Sequence, residues 1–416
     1  MGHTRRRWHL VAMAVGWLLT RTLMLYQLGF FRHGTPVKYQ DVEVYQSWAN
    51  RIVETHQLPG EAAWQYPPGA AVVFLLPRLI PSHYGAAFVG LVLIADAIAA
   101  LVLVSLSRRG GSAQGVWLWL LAIPVLGTLP LLRFDTIPTC IAVVALALVS
   151  ARSRNFRSGL LVGLGIAVKI WPVLVLLAVR TRRGARSAVL AAAATVAAFL
   201  VVSWLVLGDA LGFLGNHRGR GLELEAVAAT PWYLRQALTG HAVDWAGRNG
   251  SVEIVSAKAD LIARVLLVAM FGLAIALVIW WLRWTRRPTR SGPDVGRDAV
   301  FTAALLFVVL SEVLSPQYVI WLVGLGAVAV ASPSCRVRRP VWITAVGVVL
   351  TAALIVHWGD LVHNGSVGAY LLSMRNLVLL VAAIDAASTM WRALREARVE
   401  TPAADVGSPV GVPSLG

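Results

Sequence analysis

The sequence predicts an all-α polytopic membrane protein, and three observations carry that prediction. Of 416 residues, 58% are hydrophobic and only 14% charged, with a mean hydropathy of +0.70; a soluble domain carries about 25% charged residues. Apolar runs recur along the chain, many of them long enough to cross ~30 Å of hydrocarbon. Arginines gather between those runs, as Arg5-Arg6-Arg7, Arg108-Arg109, Arg152/Arg154/Arg157, Arg180/Arg182/Arg183/Arg186, Arg283/Arg286/Arg287/Arg290, Arg336/Arg338/Arg339 and Arg392/Arg395/Arg398. By the positive-inside rule these clusters mark the cytoplasmic face. The net charge of +17 follows from that placement and is not a nucleic-acid signal. A β-barrel would show short alternating segments, which the sequence lacks.

Trp8 to Phe31 follows a basic start, as a signal peptide does. It is too long, holds Arg21 and lacks a small-residue cleavage site, so it is expected as an uncleaved first span leaving the cytoplasm. In the outer loop that follows, Val42, Tyr45, Trp48, Ala49, Ile52 and Val53 recur at helical spacing, which predicts an interfacial helix over Asp41 to Thr55. Pro67-Pro68 suits a helix start. The helix it opens, to about Ile80, is short and is expected to be re-entrant or interfacial. Spans are then expected over Tyr84 to Leu106, Val116 to Leu131 and Ile137 to Ala151, with Arg133 and Asp135 at an outer turn.

Gly159 to Val179 has arginines on both flanks. That predicts a hairpin of two half-helices broken near Lys169-Ile170-Trp171-Pro172, a form that lines cavities. A single span here would invert every later loop and place the Arg283 and Arg336 clusters outside, against the charge rule. Further spans are expected over Ser187 to Leu207, Leu261 to Trp284, Ala299 to Leu314, Tyr318 to Ala331, Val341 to Val356 and Val367 to Trp391. The polar stretch Gly208 to Asp260 is expected to cover the outer face, partly as interfacial helix. The count is about ten spans plus a re-entrant hairpin, with both termini cytoplasmic. Residues 1–399 form the membrane domain, and 400–416, rich in Pro, Gly and small residues, read as a disordered tail.

Polar groups at membrane depth are costly and mark function by default. On this topology Arg21, Asp41, Arg133, Asp135, Glu312, Gln317, His357, Asp360, His363 and Arg375 collect at the outer span ends, with Lys169 joining if the hairpin reaches deep. Asp41 suits a general base and equally suits a helix N-cap; Glu43 faces water. Tyr66-Pro67-Pro68 reads first as a helix start with an interface aromatic. Arg133 either pairs with Asp135 or holds a phosphate, which guanidinium geometry suits. Lys169 lies beside a helix break, and Gln317 and Tyr318 sit at the mouth of a Ser-Pro turn. Arg21 and Arg375 have the depth for an acidic head group or phosphate. Cys140 and Cys335 do not pair, His357 and His363 lack a third ligand at metal spacing, and neither a Walker loop nor a Rossmann fingerprint is present. No metal and no cofactor are expected.

Taken in order, Asp41…Trp48-Ala49, Tyr66-Pro67-Pro68, Arg133-Phe134-Asp135, Gly159…Gly163…Lys169-Ile170-Trp171-Pro172 and Ser315-Pro316-Gln317-Tyr318 resemble the glycosyltransferase 87 family of GT-C membrane glycosyltransferases. The resemblance runs from Trp8 to Trp391 and implies a GT-C-like fold. It implies inverting transfer from a polyprenyl-phosphate sugar, mannose in the leading reading and arabinose in the next, to a hydroxyl of a glycan or glycolipid on the outer face of the plasma membrane. Asp41 is then the expected base, and Arg133, Lys169 and Arg375 the expected phosphate ligands. Trp48, Tyr66, Asp135, Gln317 and Tyr318 are expected to line the pocket. A lipid-linked sugar flippase is the reading from a different class; it requires no single essential base.

Overall fold

The computed structural model describes residues 2–31, 37, 39–60, 63–149, 154–217, 219–248, 250–286 and 294–399. The tail expected from Glu400 onward lies outside the described residues, as do Arg152, Arg287 and Arg290 of the basic clusters. In chain order the helices are α1 (Gly2–Leu28), α2 (Asp41–Thr55), α3 (Gly69–Leu75), α4 (Tyr84–Arg108), α5 (Gln114–Val125), α6 (Leu129–Leu132), α7 (Thr136–Val149), α8 (Asn155–Val168) and α9 (Arg182–Leu207). After α10 (Thr230–Thr239) comes a hairpin of β1 (Trp245–Arg248) and β2 (Ser251–Ile254), antiparallel with Trp245 opposite Ile254. The chain continues through α11 (Ala257–Arg286), α12 (Asp294–Leu310), α13 (Tyr318–Val330), α14 (Arg338–Val356), α15 (Trp358–Val362) and α16 (Ser366–Val399).

Among the described residues, six helical stretches are long and apolar enough to cross a membrane: His9–Leu28, Pro81–Arg108, Arg182–Leu207, Ala257–Arg286, Arg338–Val356 and Ser366–Ala393. They correspond to six of the expected spans. The other four, over 116–131, 137–151, 299–314 and 318–331, correspond to helices of 12, 14, 17 and 13 residues, of which only the first is markedly shorter than its expected span. The first shortens because the chain turns after Val125 at Leu126-Gly127, where Gly127 takes a φ of +63°. The turn is built from apolar residues, so composition alone does not mark it. Helix α13 is buried along its whole length from Val319 to Val330. It is walled in by protein rather than lipid, packing on α5, α7, α12 and α14.

The expected break between α8 and α9 is present. Helix α8 stops at Val168, Lys169 is extended (φ −158°, ψ 135°), and Trp171–Ala178 forms a 3-10 helix. A Cβ on Gly159 would lie 2.3 Å from the Ala188 carbonyl oxygen, and one on Gly163 2.6 Å from that of Ala192. Gly184 lies against Asn155 in the same register. Equal steps along α8 and α9 keep the pairs in contact, so the two helices run parallel. Parallel neighbours joined by a short link require the link to run back along α8. Trp171–Ala178 is that return leg, and Asn155 and Arg182 therefore lie at the same end of the hairpin.

Two elements of the first loop follow the sequence closely. Helix α2 has the expected bounds and buries Val42, Tyr45, Trp48, Ala49 and Ile52; Val53, expected on that face, is exposed. The helix begun by Pro67-Pro68 ends at Leu75 and passes through short 3-10 turns to α4. A Cβ on Gly69 would lie 2.5 Å from the Ala167 carbonyl oxygen, so glycine lets α3 begin against the last turn of α8. The 208–260 stretch carries α10 as an expected helix and the β-hairpin as an unexpected one, with Gly250 at φ +72°. Leu222, Leu224, Ala226, Tyr233 and Ile254 pack there into a second core against Ala369 and Leu372 of α16.

Gly159→Ala is expected to force α8 and α9 apart and to lower stability by about 1–3 kcal/mol. Thermal unfolding in detergent checks this, with Gly90→Ala, where nothing lies within 4 Å, as the neutral control.

Candidate active site

Four segments converge on one cleft. The first is the start of α2. Gln40 turns the chain into the helix with φ +46°, and no side chain caps the helix end. Asp41 is the first helical residue, and its carboxylate reaches across to the turn between α6 and α7. There its Oδ2 lies 2.8 Å from Arg133 Nη2. The N-cap alternative for Asp41 thus gives way to an ion pair, and so does the pairing of Arg133 with Asp135. Both members remain partly open, at 36% and 28% side-chain exposure for Asp41 and Arg133 respectively. Glu43 is exposed, as expected.

The turn is extended at Arg133 (φ −113°, ψ 137°), so Arg133 and Asp135 point to different partners while Phe134 is wholly buried between them. Asp135 Oδ1 accepts from Lys169 Nζ at 2.6 Å and from Trp321 Nε1 at 2.7 Å. Lys169 comes from the hairpin break. It lies 4.9 Å from the ring centroids of Phe134 and Trp321, 5.4 Å from Tyr318 and 5.7 Å from Tyr66. An ammonium among aromatic faces gains from the ring quadrupoles. Lys169 is therefore held inward.

Aromatic rings form the floor. Tyr318 stacks on Trp321 at 4.0 Å, and Trp321 on Trp171 at 5.1 Å. Tyr66 meets Phe134 edge-on at 4.9 Å. Trp48 is buried and packs against Trp64 and Tyr66, so it supports the Tyr66 ring from behind. Tyr66 and Tyr318 are half-buried, and burial pushes the Tyr66 hydroxyl up to about 12.

The roof is the 208–229 stretch, and here sequence reasoning missed most. Asn216 donates to the Trp64 carbonyl at 2.7 Å, Arg220 donates through Nη1 to Gln65 Oε1, and Glu223 N–H donates to the Glu312 carbonyl at 3.0 Å. Glu225 meets Arg375, which donates to its carboxylate at 3.2 Å and its carbonyl at 2.9 Å. Arg375 is wholly buried and joins the site through this glutamate rather than by contact with Asp41. Burial, then neighbouring Glu225, pushes the Glu223 carboxyl up to about 7. The Leu222-Glu223-Leu224-Glu225 alternation signals paired acids on one side of an extended segment. Gln317 is buried at the start of α13.

Other expected members lie elsewhere. Arg21 makes a buried bidentate pair with Asp96, at 2.9 and 2.7 Å, and so ties α1 to α4. His357 and His363 turn to backbone carbonyls of their own helices. Asp360 accepts from Gly368 N–H. Glu312 contributes its backbone. Among the described residues no three His, Cys, Asp or Glu side chains group as metal ligands.

Fold and cleft define an integral membrane protein with a polar site in which a carboxylate lies beside Arg133, with Lys169 nearby. The chain belongs to glycosyltransferase family 87, whose profile matches residues 64–316, and is a membrane glycosyltransferase of the hexosyltransferase kind. The matched region holds Tyr66, Arg133, Asp135, Lys169 and the roof; Asp41 precedes it and is joined to it by Arg133. Comparison with curated proteins finds no match.

Two measurements check this geometry. Asp135→Ala leaves a buried ammonium and an indole N–H without their acceptor, and is expected to cost about 3–5 kcal/mol in thermal or chemical unfolding; a loss below about 1 kcal/mol contradicts the pairing. Glu223, facing Glu225, Arg220 and Arg375, holds its proton up to about 7 in the folded state. A raised carboxyl contributes stability that is full below the unfolded carboxylate range and is lost as pH rises through the folded value. The melting temperature in detergent is therefore expected to fall between about pH 5 and about pH 8, and Glu223→Gln to flatten that slope.

Proposed function

We propose that this protein transfers a sugar, mannose in the leading reading, from a polyprenyl-phosphate carrier to a hydroxyl of a glycan or glycolipid at the outer face of the plasma membrane. One observation carries the reading: the 2.8 Å contact between Asp41 and Arg133, which puts a carboxylate beside a cation at the mouth of a cleft backed by Lys169. A scaffold protein has no need for that convergence, and a flippase needs cations but not a base.

The steps follow from charge. A partly exposed ion pair is worth only about 0–1 kcal/mol, so the anionic phosphodiester of the donor can take Arg133 from Asp41. The released carboxylate then accepts the proton of the acceptor hydroxyl. That oxygen forms a bond to the anomeric carbon from the face opposite the phosphate, and the carbon–oxygen bond to phosphate breaks. Its electron pair stays on the phosphate oxygen. Configuration inverts, and the carrier leaves as a monoester with one more negative charge. Arg133 and Lys169 act on that developing charge, where fixed cations lower the barrier most. Tyr66 and Tyr318 present ring faces for the sugar. The positive-inside rule, applied to the arginine clusters, favours cytoplasmic termini and a cleft that opens outside. The four shorter helices are read as further crossings, about ten in all.

Membranes carrying the wild-type protein are expected to transfer label from one of a set of radiolabelled polyprenyl-phosphate sugars. Asp41→Asn is expected to cut transfer by at least about 10²-fold, the lower range for loss of a general base, and Arg133→Ala by about 10²-fold through loss of a phosphate ligand. Full transfer by Asp41→Asn contradicts the assignment.

A further inference from the structure

The roof and the adjoining start of α13 hold enclosed polar atoms that the transfer chemistry does not use. Glu223 Oε2, Arg220 Nε and Gln317 Oε1 are each buried without a hydrogen-bond partner among the described residues. They do not belong to scattered surface groups. Glu223 is fixed by its own backbone to Glu312, and Arg220 is fixed by Nη1 to Gln65, the residue before Tyr66. Arg220 lies within electrostatic reach of Tyr66, Glu223 and Tyr318, and Glu223 is the charge that acts most strongly on Tyr318. Gln317, itself only 6% exposed, precedes that tyrosine. Arg220 beside Gln65 and Gln317 beside Tyr318 thus bring these groups next to the two half-buried rings in the chain.

An enclosed polar group left unpaired costs about 1–3 kcal/mol, and native proteins keep few of them. Several at one wall of a cleft mark a place where a polar ligand completes the hydrogen bonds. The wall offers two oxygen acceptors, one from a carboxylate and one from an amide, and one guanidinium donor, beside aromatic faces. Vicinal hydroxyls of a sugar ring both donate and accept, and the ring's C–H face stacks on tyrosine. A second phosphate does not fit, because Glu223 and Gln317 present oxygen to it.

We propose that Glu223, with Arg220 and Gln317, forms a sugar-hydroxyl subsite, in which Glu223 accepts from adjacent hydroxyls of the bound ring and so selects which sugar the cleft takes. This rests on the glycosyl-transfer reading of the same cleft. It assigns to the roof the choice of sugar, which Asp41 and Arg133 do not make. The ring comes either from the donor or from the acceptor glycan, and the two sources separate in the experiment.

The test is binding rather than turnover. Purified protein is titrated, by tryptophan fluorescence, with a polyprenyl-phosphate sugar, with bare polyprenyl phosphate, and with acceptor glycan. If the donor sugar occupies the subsite, the wild type binds the sugar-bearing carrier more tightly than the bare one. At about pH 8, where Glu223 is ionised, Glu223→Ala then removes that increment, at least about tenfold for a charge-assisted bond, while affinity for bare polyprenyl phosphate stays unchanged. If the acceptor occupies it, the same loss appears for the glycan alone. Glu223→Gln, which keeps the shape, gives a partial loss in the same arm and stands in should the alanine variant fail to fold. Unchanged sugar binding in both variants overturns the proposal, and so does an equal loss for bare carrier and every sugar ligand. A wild type that shows the sugar increment yet transfers nothing refutes the function proposed for the cleft and leaves the subsite standing.

Discussion

The contact between Asp41 and Arg133 ties the first loop to the turn between α6 and α7, where Tyr45 of α2 also meets Phe134 edge-on at 5.8 Å. Asp41 opens a helix of the first loop, and Arg133 closes a short helix between two inner ones. Both backbones are shaped for it. Gln40 takes a left-handed φ so that α2 starts with its acid toward the cleft, and Arg133 is extended so that its guanidinium leaves the turn opposite to Asp135. A residue held in that region stores strain, which persists only where surrounding packing fixes it. Here the packing is the aromatic set under α2, with Tyr45 stacked on Phe74 at 4.5 Å.

Behind that pair the interior is organised by a second, drier one. Asp135 accepts from both Lys169 and Trp321 on a single oxygen, so three segments far apart in sequence share one carboxylate. A buried pair of this kind adds little net stability but is costly to break. Its use is positional. It holds the lysine at the hairpin break among four aromatic rings, where a cation faces the cleft without being free to wander. The two pairs differ in exposure: Asp41 and Arg133 are partly open, while Asp135 and Lys169 are largely enclosed.

Much of this was legible in the sequence, for physical reasons that differ by element. Helix α2 was readable because its apolar residues recur at helical spacing beside polar ones, and the Lys169 break because arginines flank it and proline follows. The convergence of Asp41, Arg133 and Lys169 was legible only as a tendency of polar groups to gather on one side of the membrane. Which acid meets which base was not, because pairing is decided by the turn conformation at Arg133. The length of α5 was hidden for another reason: the residues that end it are as apolar as those within it. The roof was least legible. Asn249-Gly250 is a strong hairpin signal set in a stretch read as interfacial helix, and Glu223 and Glu225 resemble ordinary loop acids until packing buries them. Arg21 misled in the opposite sense, since its partner Asp96 lies within an apolar helix.

The central claim is that Asp41 and a phosphate compete for Arg133. Binding of polyprenyl phosphate to purified wild type and Asp41→Asn tests it most directly, since removal of the carboxylate should free the guanidinium. The account predicts that the Asp41→Asn protein binds the carrier phosphate at least as tightly as the wild type, with the affinity of both falling when Arg133 is replaced by alanine. Weaker binding by Asp41→Asn would contradict it, because the acid would then be helping to hold the phosphate rather than yielding the arginine to it.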